Sequence, residues 1–426
     1  MMRKRRRLLL AAGGTAALGA CSYSLEHGLL NPCRAELPRA LASDERVLAA
    51  WEGIDAARLW DCHAHLVGSG DSGGGIWLNP DMLNIANPVQ YARRLLFLNA
   101  GCAQDAPDSV DERYIERMLN LLEGLRPGAK LVLLAFDRNH AVDGTPLPAE
   151  TPFYVPDAYA MATARRHPRY FEWAASIHPY RRDSLDALRE AKANGARAVK
   201  WLPAAMGMDP ASPRCDAFYT ELTKLDLPLI THGGMERAVR VGERQHLGNP
   251  LLLKRALEHG VRVVIAHCAT LGEDRDLDRG EHGPYVPSFT LFARLMDDPS
   301  YRATLYGDIS SIAQLNRAGP ALIALLERDE WHPRLLNGSD YPLPGIVPLY
   351  SVSLLAELGV IEHRMASVLA KVREHNPLLF DFVLKRHLSS GGKRFPRSVF
   401  ETRPFFDRLA AGRTLPSVPA ANSKTG

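Results

Sequence analysis

The sequence predicts an α/β fold, a (β/α)8 barrel, and three observations predict it. Eight short apolar runs punctuate the chain, and each gives way to polar residues. Helical signals fill the intervals between them, which implies βαβ units and a parallel sheet. The side chains able to do chemistry all fall at the ends of the runs, the rim where barrel enzymes place theirs.

In order, the runs are Ala57 to Trp60 into Asp61, Leu131 to Phe136 into Asp137, Trp173 to Ile177 into His178, and Ala198-Val199 into Lys200. Then come Leu229-Ile230 into Thr231-His232, Val263 to Ala266 into His267, Leu305-Tyr306 into Asp308, and Leu335-Leu336 into Asn337 and Asp340. Asp183 is placed to cap a helix through Ala193, with Gly195 past its end. Asn249-Pro250 opens another that Gly260 closes; proline early and glycine late follow the known asymmetry. The first βα connection, from Leu66 to about Gly128, is long enough to hold helices of its own around Leu96–Leu98 and Arg113–Leu125. The second, from Arg138 to about Tyr159, is rich in Pro, Thr and Gly. Long loops on this rim shape substrate pockets. Met365 to Leu388 reads as closing helices. An open doubly wound sheet is the competing architecture, but no G-x-G-x-x-G follows the first strand, which argues against a dinucleotide site.

The chain begins with a basic cluster, Arg3 to Arg7, and an apolar stretch, Leu8 to Ala20, too short to span a bilayer. This predicts a signal peptide over 1–20 and export. A tether over 21–45, one barrel domain over 46–388 and a peripheral tail over 389–426 complete the expected organisation. The formal charge of +4 sits largely in that basic start, so charge predicts no nucleic-acid partner. Outside the signal stand Cys33, Cys62, Cys102, Cys215 and Cys268. They form no CxxC pair and no dense framework, so the fold is not expected to depend on disulfides.

Asp61-Cys62-His63-Ala64-His65 is the strongest local signal. Residues two apart share a strand face, so His63 and His65 project together and Cys62 packs on the other side. His232, His267 and Asp340 close later runs. In a barrel these ends ring one mouth, where such imidazoles and a carboxylate are naturally satisfied by a divalent cation. Zinc suits such ligands best, with manganese or iron as alternatives. Such a cation lowers the pKa of water toward neutrality. Asp340 would take the proton, and His267 would stabilise charge growing on the substrate oxygen. His178, Glu236, Arg237 and Arg240 follow strands three and five, and are candidates for contacting an acidic small-molecule substrate.

These residues resemble the amidohydrolase superfamily, in its family 2 branch. The likeness covers His63-Ala-His65, Gly195 to Pro203 with Lys200, Leu229 to Gly234, Val264 to Cys268, Asn337 to Pro342, and the closing Val372 to Phe380. It implies that His63, His65 and His232 bind metal, that Asp340 binds metal and handles a proton, and that His267 binds a second metal or assists catalysis. It implies hydrolysis of an amide, ester or lactone. A decarboxylase of the same branch and a non-catalytic ligand-binding lipoprotein are the alternatives. In binuclear relatives a lysine at the position of Lys200 is carboxylated and bridges two ions. One ion is favoured here, which leaves Lys200 to bind a substrate carboxylate. Leu18-Gly19-Ala20-Cys21 resembles a bacterial lipobox, which implies lipidation at Cys21 and an outer-membrane anchor facing the periplasm. The arginines before Leu8 resemble a twin-arginine signal. A plain secretory peptide with an incidental cysteine is the competing reading. Membrane contact is expected only through that anchor, and a homo-oligomer is compatible with these features.

Overall fold

The computed structural model describes residues 29–407. The signal segment, Cys21 and the end of the tail lie outside the described residues. Eight parallel strands form the wall. They are β1 (Trp60–His65), β2 (Lys130–Leu134), β3 (Phe171–Ala174), β4 (Val199–Trp201), β5 (Leu229–His232), β6 (Val263–Ala266), β7 (Leu305–Asp308) and β8 (Leu335–Leu336). β1 to β3 make one sheet and β4 to β8 another, each strand beside its sequence neighbour. Two bridges join the sheets: Ala175, just past β3, pairs with Val199, and Tyr341, past β8, pairs with Ala64. At the second seam the Cys62 N–H donates to the Asn337 carbonyl (3.0 Å) and the Asp340 N–H to the His63 carbonyl (2.8 Å). At the first seam the Arg197 N–H donates to the Trp173 carbonyl, the Ala175 N–H to the Ala198 carbonyl and the Lys200 N–H to the Ala175 carbonyl, so both seams are hydrogen-bonded and the ring closes.

The main helices around the wall are α1 (Pro88–Ala100), α2 (Val110–Glu123), α3 (Asp157–Arg166), α4 (Ser184–Ala193), α5 (Asp216–Lys224), α6 (Lys254–Glu258), α7 (Ser288–Asp297), α8 (Pro320–Glu327), α9 (Ala366–His375) and α10 (Pro377–His387), with shorter helical segments between and beyond them. α2 shows why they form. Ser109 caps it by accepting the Glu112 N–H. Tyr114, Ile115, Met118, Leu121 and Leu122 are buried on one helix face. Asp183 sits at the cap position of α4, but its side chain makes no cap bond; it pairs with Arg181 instead. The stretch after Asn249 is a 3-10 turn, Pro250–Leu253, before α6, with the Asn249 side chain accepting the Leu251 N–H.

Alternation sets the interior. Cys62, Val132, Leu134, Ala174, Ala198, Ile230, Val264, Tyr306 and Leu336 form one buried cluster with Trp60. Two residues beyond Ala198, Ile230 and Tyr306 stand Lys200, His232 and Asp308, on the same strand faces. In β1 the register shifts between Asp61 and Ala64, and this bulge re-aims the histidines. Cys62 is wholly buried as a packing residue, but it belongs to the interior cluster and not to an outer face opposite the histidines, because the bulge interrupts the alternation that would separate it from His63.

Two expectations about the ends of the domain need correcting. The tail is not peripheral as far as it is described. Phe405 and Phe406 belong to the interior cluster, the Thr402 hydroxyl donates to the Trp60 carbonyl, and Phe395, Val399 and Phe400 are buried. The segment plugs the N-terminal end of the barrel, and its aromatic side chains explain why it docks. Nor is the later part of the tether loose, because Cys33 is disulfide-bonded to Cys102, directly after α1. Cys62, Cys215 and Cys268 are free and buried. Among the described residues no helix is long and apolar enough to cross a membrane.

Candidate active site

The C-terminal ends of the strands converge on a cavity of about 240 Å³. At its floor His63, His65 and Asp340 bring their ligand atoms within 4.8 Å of one another. His63 Nε2 lies 3.2 Å from His65 Nε2 and 3.5 Å from Asp340 Oδ1. His65 Nε2 is 3.2 Å from the same oxygen.

The surroundings decide how these groups are protonated. His63 Nδ1 is 2.9 Å from Asp308 Oδ2, so a proton on Nδ1 donates to that carboxylate and the Nε2 lone pair faces the cluster. This is the carboxylate–histidine arrangement that orients metal ligands. Burial opposes ionisation of Asp308, but His63, Ser310 and the His267 N–H outweigh it and hold the carboxyl at about 2. The oxygen of Asp308 not used by His63 accepts the His267 N–H at 2.7 Å and the Ser310 N–H at 3.0 Å. One carboxylate thus fixes residues of three strand ends. Burial likewise opposes ionisation of Asp340, and His63, His65 and His267 prevail, keeping it well below the usual carboxylate range. Its other oxygen accepts the Ser311 hydroxyl at 2.7 Å, and Gln314 donates to Ser311 at 2.8 Å. Asp340 has φ +62°, a conformation that costs a non-glycine residue energy and recurs at functional sites.

His232 and His267 pack edge to face, with centroids 4.6 Å apart. His232 Nδ1 is 3.2 Å from Glu236 Oε2, which leaves Nε2 buried without a partner. His267 Nδ1 is likewise buried and unpartnered. Burial keeps both rings neutral, His232 pushed down to about 4 and His267 well below the usual histidine range. Neutral imidazoles with free lone pairs, beside an ionised carboxylate, fit a divalent cation. His63, His65 and Asp340 form the tight set, and His232 lines the same cavity outside it. Lys200 is buried, with Nζ 3.1 Å from His63 Nε2, and burial lowers its pKa.

The other candidates divide. Arg237 lines the cavity. Glu236 also lines it, but both of its oxygens are occupied, one by His232 and one by the Ala238 and Val239 N–H groups. It orients a histidine and is not a free substrate contact. Arg240 pairs with Asp81 and donates to the Ala149 carbonyl, which ties two loops together outside the cavity wall. His178 also lies off the cavity. Its Nδ1 accepts the Tyr180 N–H, and its Nε2 is 3.0 Å from the Met206 carbonyl. The chain turns after β3, so the side chain packs among residues of neighbouring loops, beside the rings of His140 and Tyr180.

Sequence reasoning passed over several residues of the candidate site. Asp308 ends a predicted strand, and its position two residues past inward-facing Tyr306 was the available signal. Arg317 in the seventh loop lines the cavity. It is nearly buried and donates to the Thr270 hydroxyl at 3.2 Å, while its Nε has no partner. Arg93 and Arg94 enter the cavity wall from α1. Nothing local in the sequence marks these three arginines. The remaining walls are apolar, among them Ile76, Phe97, Phe153 and Leu343.

Comparison with known proteins adds the family. Among solved structures, the fold is similar to an uncharacterized TIM-barrel protein from Bordetella bronchiseptica, with 16% identity, TM-score 0.43, and 74% of this chain and 98% of that one covered. It is also similar to 2,6-dihydroxybenzoate decarboxylase from Rhizobium, with 14% identity, TM-score 0.34, and 75% and 98% covered. A third is 5-carboxyvanillate decarboxylase from Sphingomonas paucimobilis, with 11% identity, TM-score 0.39, and 74% and 96% covered. No curated protein matches the sequence. The amidohydrolase family model matches residues 60–359, every barrel strand included, and the chain belongs to that family.

Proposed function

We propose that the protein is a metal-dependent hydrolase that cleaves an amide, ester or lactone bond in a small, largely apolar substrate with an acidic group. The observation that carries this reading is the convergence of His63, His65 and Asp340, with Asp308 behind them, at the floor of an apolar cavity. His63, His65 and Asp340, with His232 beside them, would hold one divalent ion, with zinc preferred over manganese or iron. When bound, the ion supplies Lewis-acid activation of water and of the scissile group. Asp340, kept ionised, takes the water proton and returns it to the leaving group. His267 stands across from His63, with ring centroids 6.2 Å apart, where a protonated nitrogen can stabilise charge on the substrate oxygen. Arg317 and Lys200 supply positive charge for the substrate's acidic group.

That pair of cations beside Asp340 also supports a second reading, in which the bound carboxylate is itself lost as carbon dioxide. One experiment separates the two. Protein of measured metal content is incubated with a panel of esters, lactones, amides and aromatic acids in 18O-water. Hydrolysis puts 18O into the product, whereas decarboxylation releases carbon dioxide and leaves the retained product unlabelled. Asp340→Asn should abolish turnover by either route. Full activity in metal-stripped protein would overturn both, and ligand binding without turnover of any substrate would favour a non-catalytic receptor.

We also infer export, with lipid attached at Cys21. The basic and apolar start of the chain supports it, and so does the Cys33–Cys102 disulfide, a bond typical of oxidising compartments. The mass of the mature N-terminus tests it, and an unprocessed Met1 would sink it.

A further inference from the structure

The first βα connection carries apolar surface that the barrel does not bury. In α1, Val89, Ala92 and Leu96 are spaced to share one helix face, and Val89 and Leu96 are 61% and 37% exposed. Leu95 beside them is exposed, as are Leu83 and Ile85 just before the helix, Ile85 at 76%. Exposed apolar side chains grouped this closely on one helix and the loop before it point to an interaction site. It is continuous with the active-site mouth, because Leu96 also lines the cavity, next to Arg93, Arg94 and Phe97.

The path of the chain indicates what covers it. Leu29 and Leu30 are themselves exposed, and they are fastened to the C-terminal end of α1. The Asn31 N–H donates to Asn99 Oδ1 at 2.9 Å, and Cys33 is bonded to Cys102. From Leu29 back to Cys21 the chain can extend at most about 28 Å. A folded chain of this size has a radius of gyration of about 21 Å, so a lipid on Cys21 cannot pass around to the far end of the barrel. The face that carries α1 is the one it would hold at the membrane. Arg93 and Arg94 match anionic phosphate head groups.

We propose that α1 and the loop before it lay the mouth of the barrel on a lipid bilayer. The apolar stripe enters the acyl boundary, and the cavity opens onto the membrane to take an amphiphile, an apolar molecule with an acidic head, from the lipid phase. The inference rests on the export reading for its anchor and not on which bond is cleaved.

The test uses the full chain, expressed in a Gram-negative host and reconstituted into phosphatidylethanolamine–phosphatidylglycerol vesicles. A fluorophore is placed on Ala92→Cys or on Arg165→Cys, near the end of α3 on the opposite rim. Cys62, Cys215 and Cys268 are buried, and mass spectrometry locates the label. Brominated lipids should quench position 92 at least about twofold and leave position 165 unchanged. No quenching at 92, in protein whose Cys21 carries lipid, overturns the docking. Quenching without lipid on Cys21 keeps the docking and overturns the anchor. Self-quenching between labels at 92, without quenching by lipid, assigns the stripe to a second copy of the chain and also overturns the proposal.

Discussion

Asp308 shows how much one atom can decide. As a carboxylate it accepts the Nδ1 proton of His63, at 2.9 Å, and so keeps Nε2 free for a cation. Asp308→Asn would keep one oxygen for the His267 and Ser310 N–H groups but would point an amide N–H at Nδ1. The ring would then carry its proton on Nε2, facing the cluster. We expect metal affinity to fall by about 10- to 100-fold with the far-ultraviolet circular dichroism unchanged. A metal titration giving the unaltered constant would refute this role. His178 acts at the same scale but on stability. Burial pushes its pKa down to about 3, below the usual 6.5, so the unfolded chain binds the extra proton first. The stability tied to its neutral form is present above pH 6.5 and lost as pH falls from there toward 3, roughly 3–5 kcal/mol in all. Asp157 works in the opposite direction: burial raises it to about 7, so its contribution is present below the usual carboxylate range and is lost as pH rises through 7. The difference between wild type and His178→Gln isolates the histidine. Denaturant midpoints of the two should converge as pH drops from 6.5, and parallel curves would show the assignment to be wrong.

At the scale of the element, the sequence was most readable where period and position agree. Strand ends at Lys200, His232, His267 and Asp308 follow from apolar runs that stop at polar residues, and the structure puts them on one rim. His178 also followed such a run, yet its strand ends at Ala174 and the next residues turn away, which no local pattern foretells. Nor could periodicity reveal the bulge in β1, because it arises from pairing with a neighbouring strand. Arg317 and the α1 arginines come from loops whose paths are set by tertiary packing, so they were invisible from sequence. α1 itself is fastened at one end by the Cys33–Cys102 bond. Closing a loop of that length is worth about 4 kcal/mol in the chain-entropy account. Paired Cys33→Ser and Cys102→Ser changes should lower unfolding free energy by about that amount and speed hydrogen exchange over residues 88–100. Unchanged exchange there would mean that packing alone holds the helix.

For the whole molecule, one feature of the wall has a mechanical consequence. The β3–β4 seam and the β8–β1 seam each hold one bridged pair and three backbone hydrogen bonds, and between them lie the two continuous sheets. The second seam coincides with the natural ends of the barrel. The first falls between Ala174 and Val199, where Gly195 ends the α4 unit with open space around it. The molecule is therefore divisible. A chain severed at Gly195 and produced as two polypeptides should reassemble, since the cut leaves each sheet whole on one fragment. Each fragment would be mute alone, because His63 and His65 ride on one and Lys200, His232 and Asp340 on the other. Metal retention on mixing would report the reunion, while a cut placed between β6 and β7 should not be repaired.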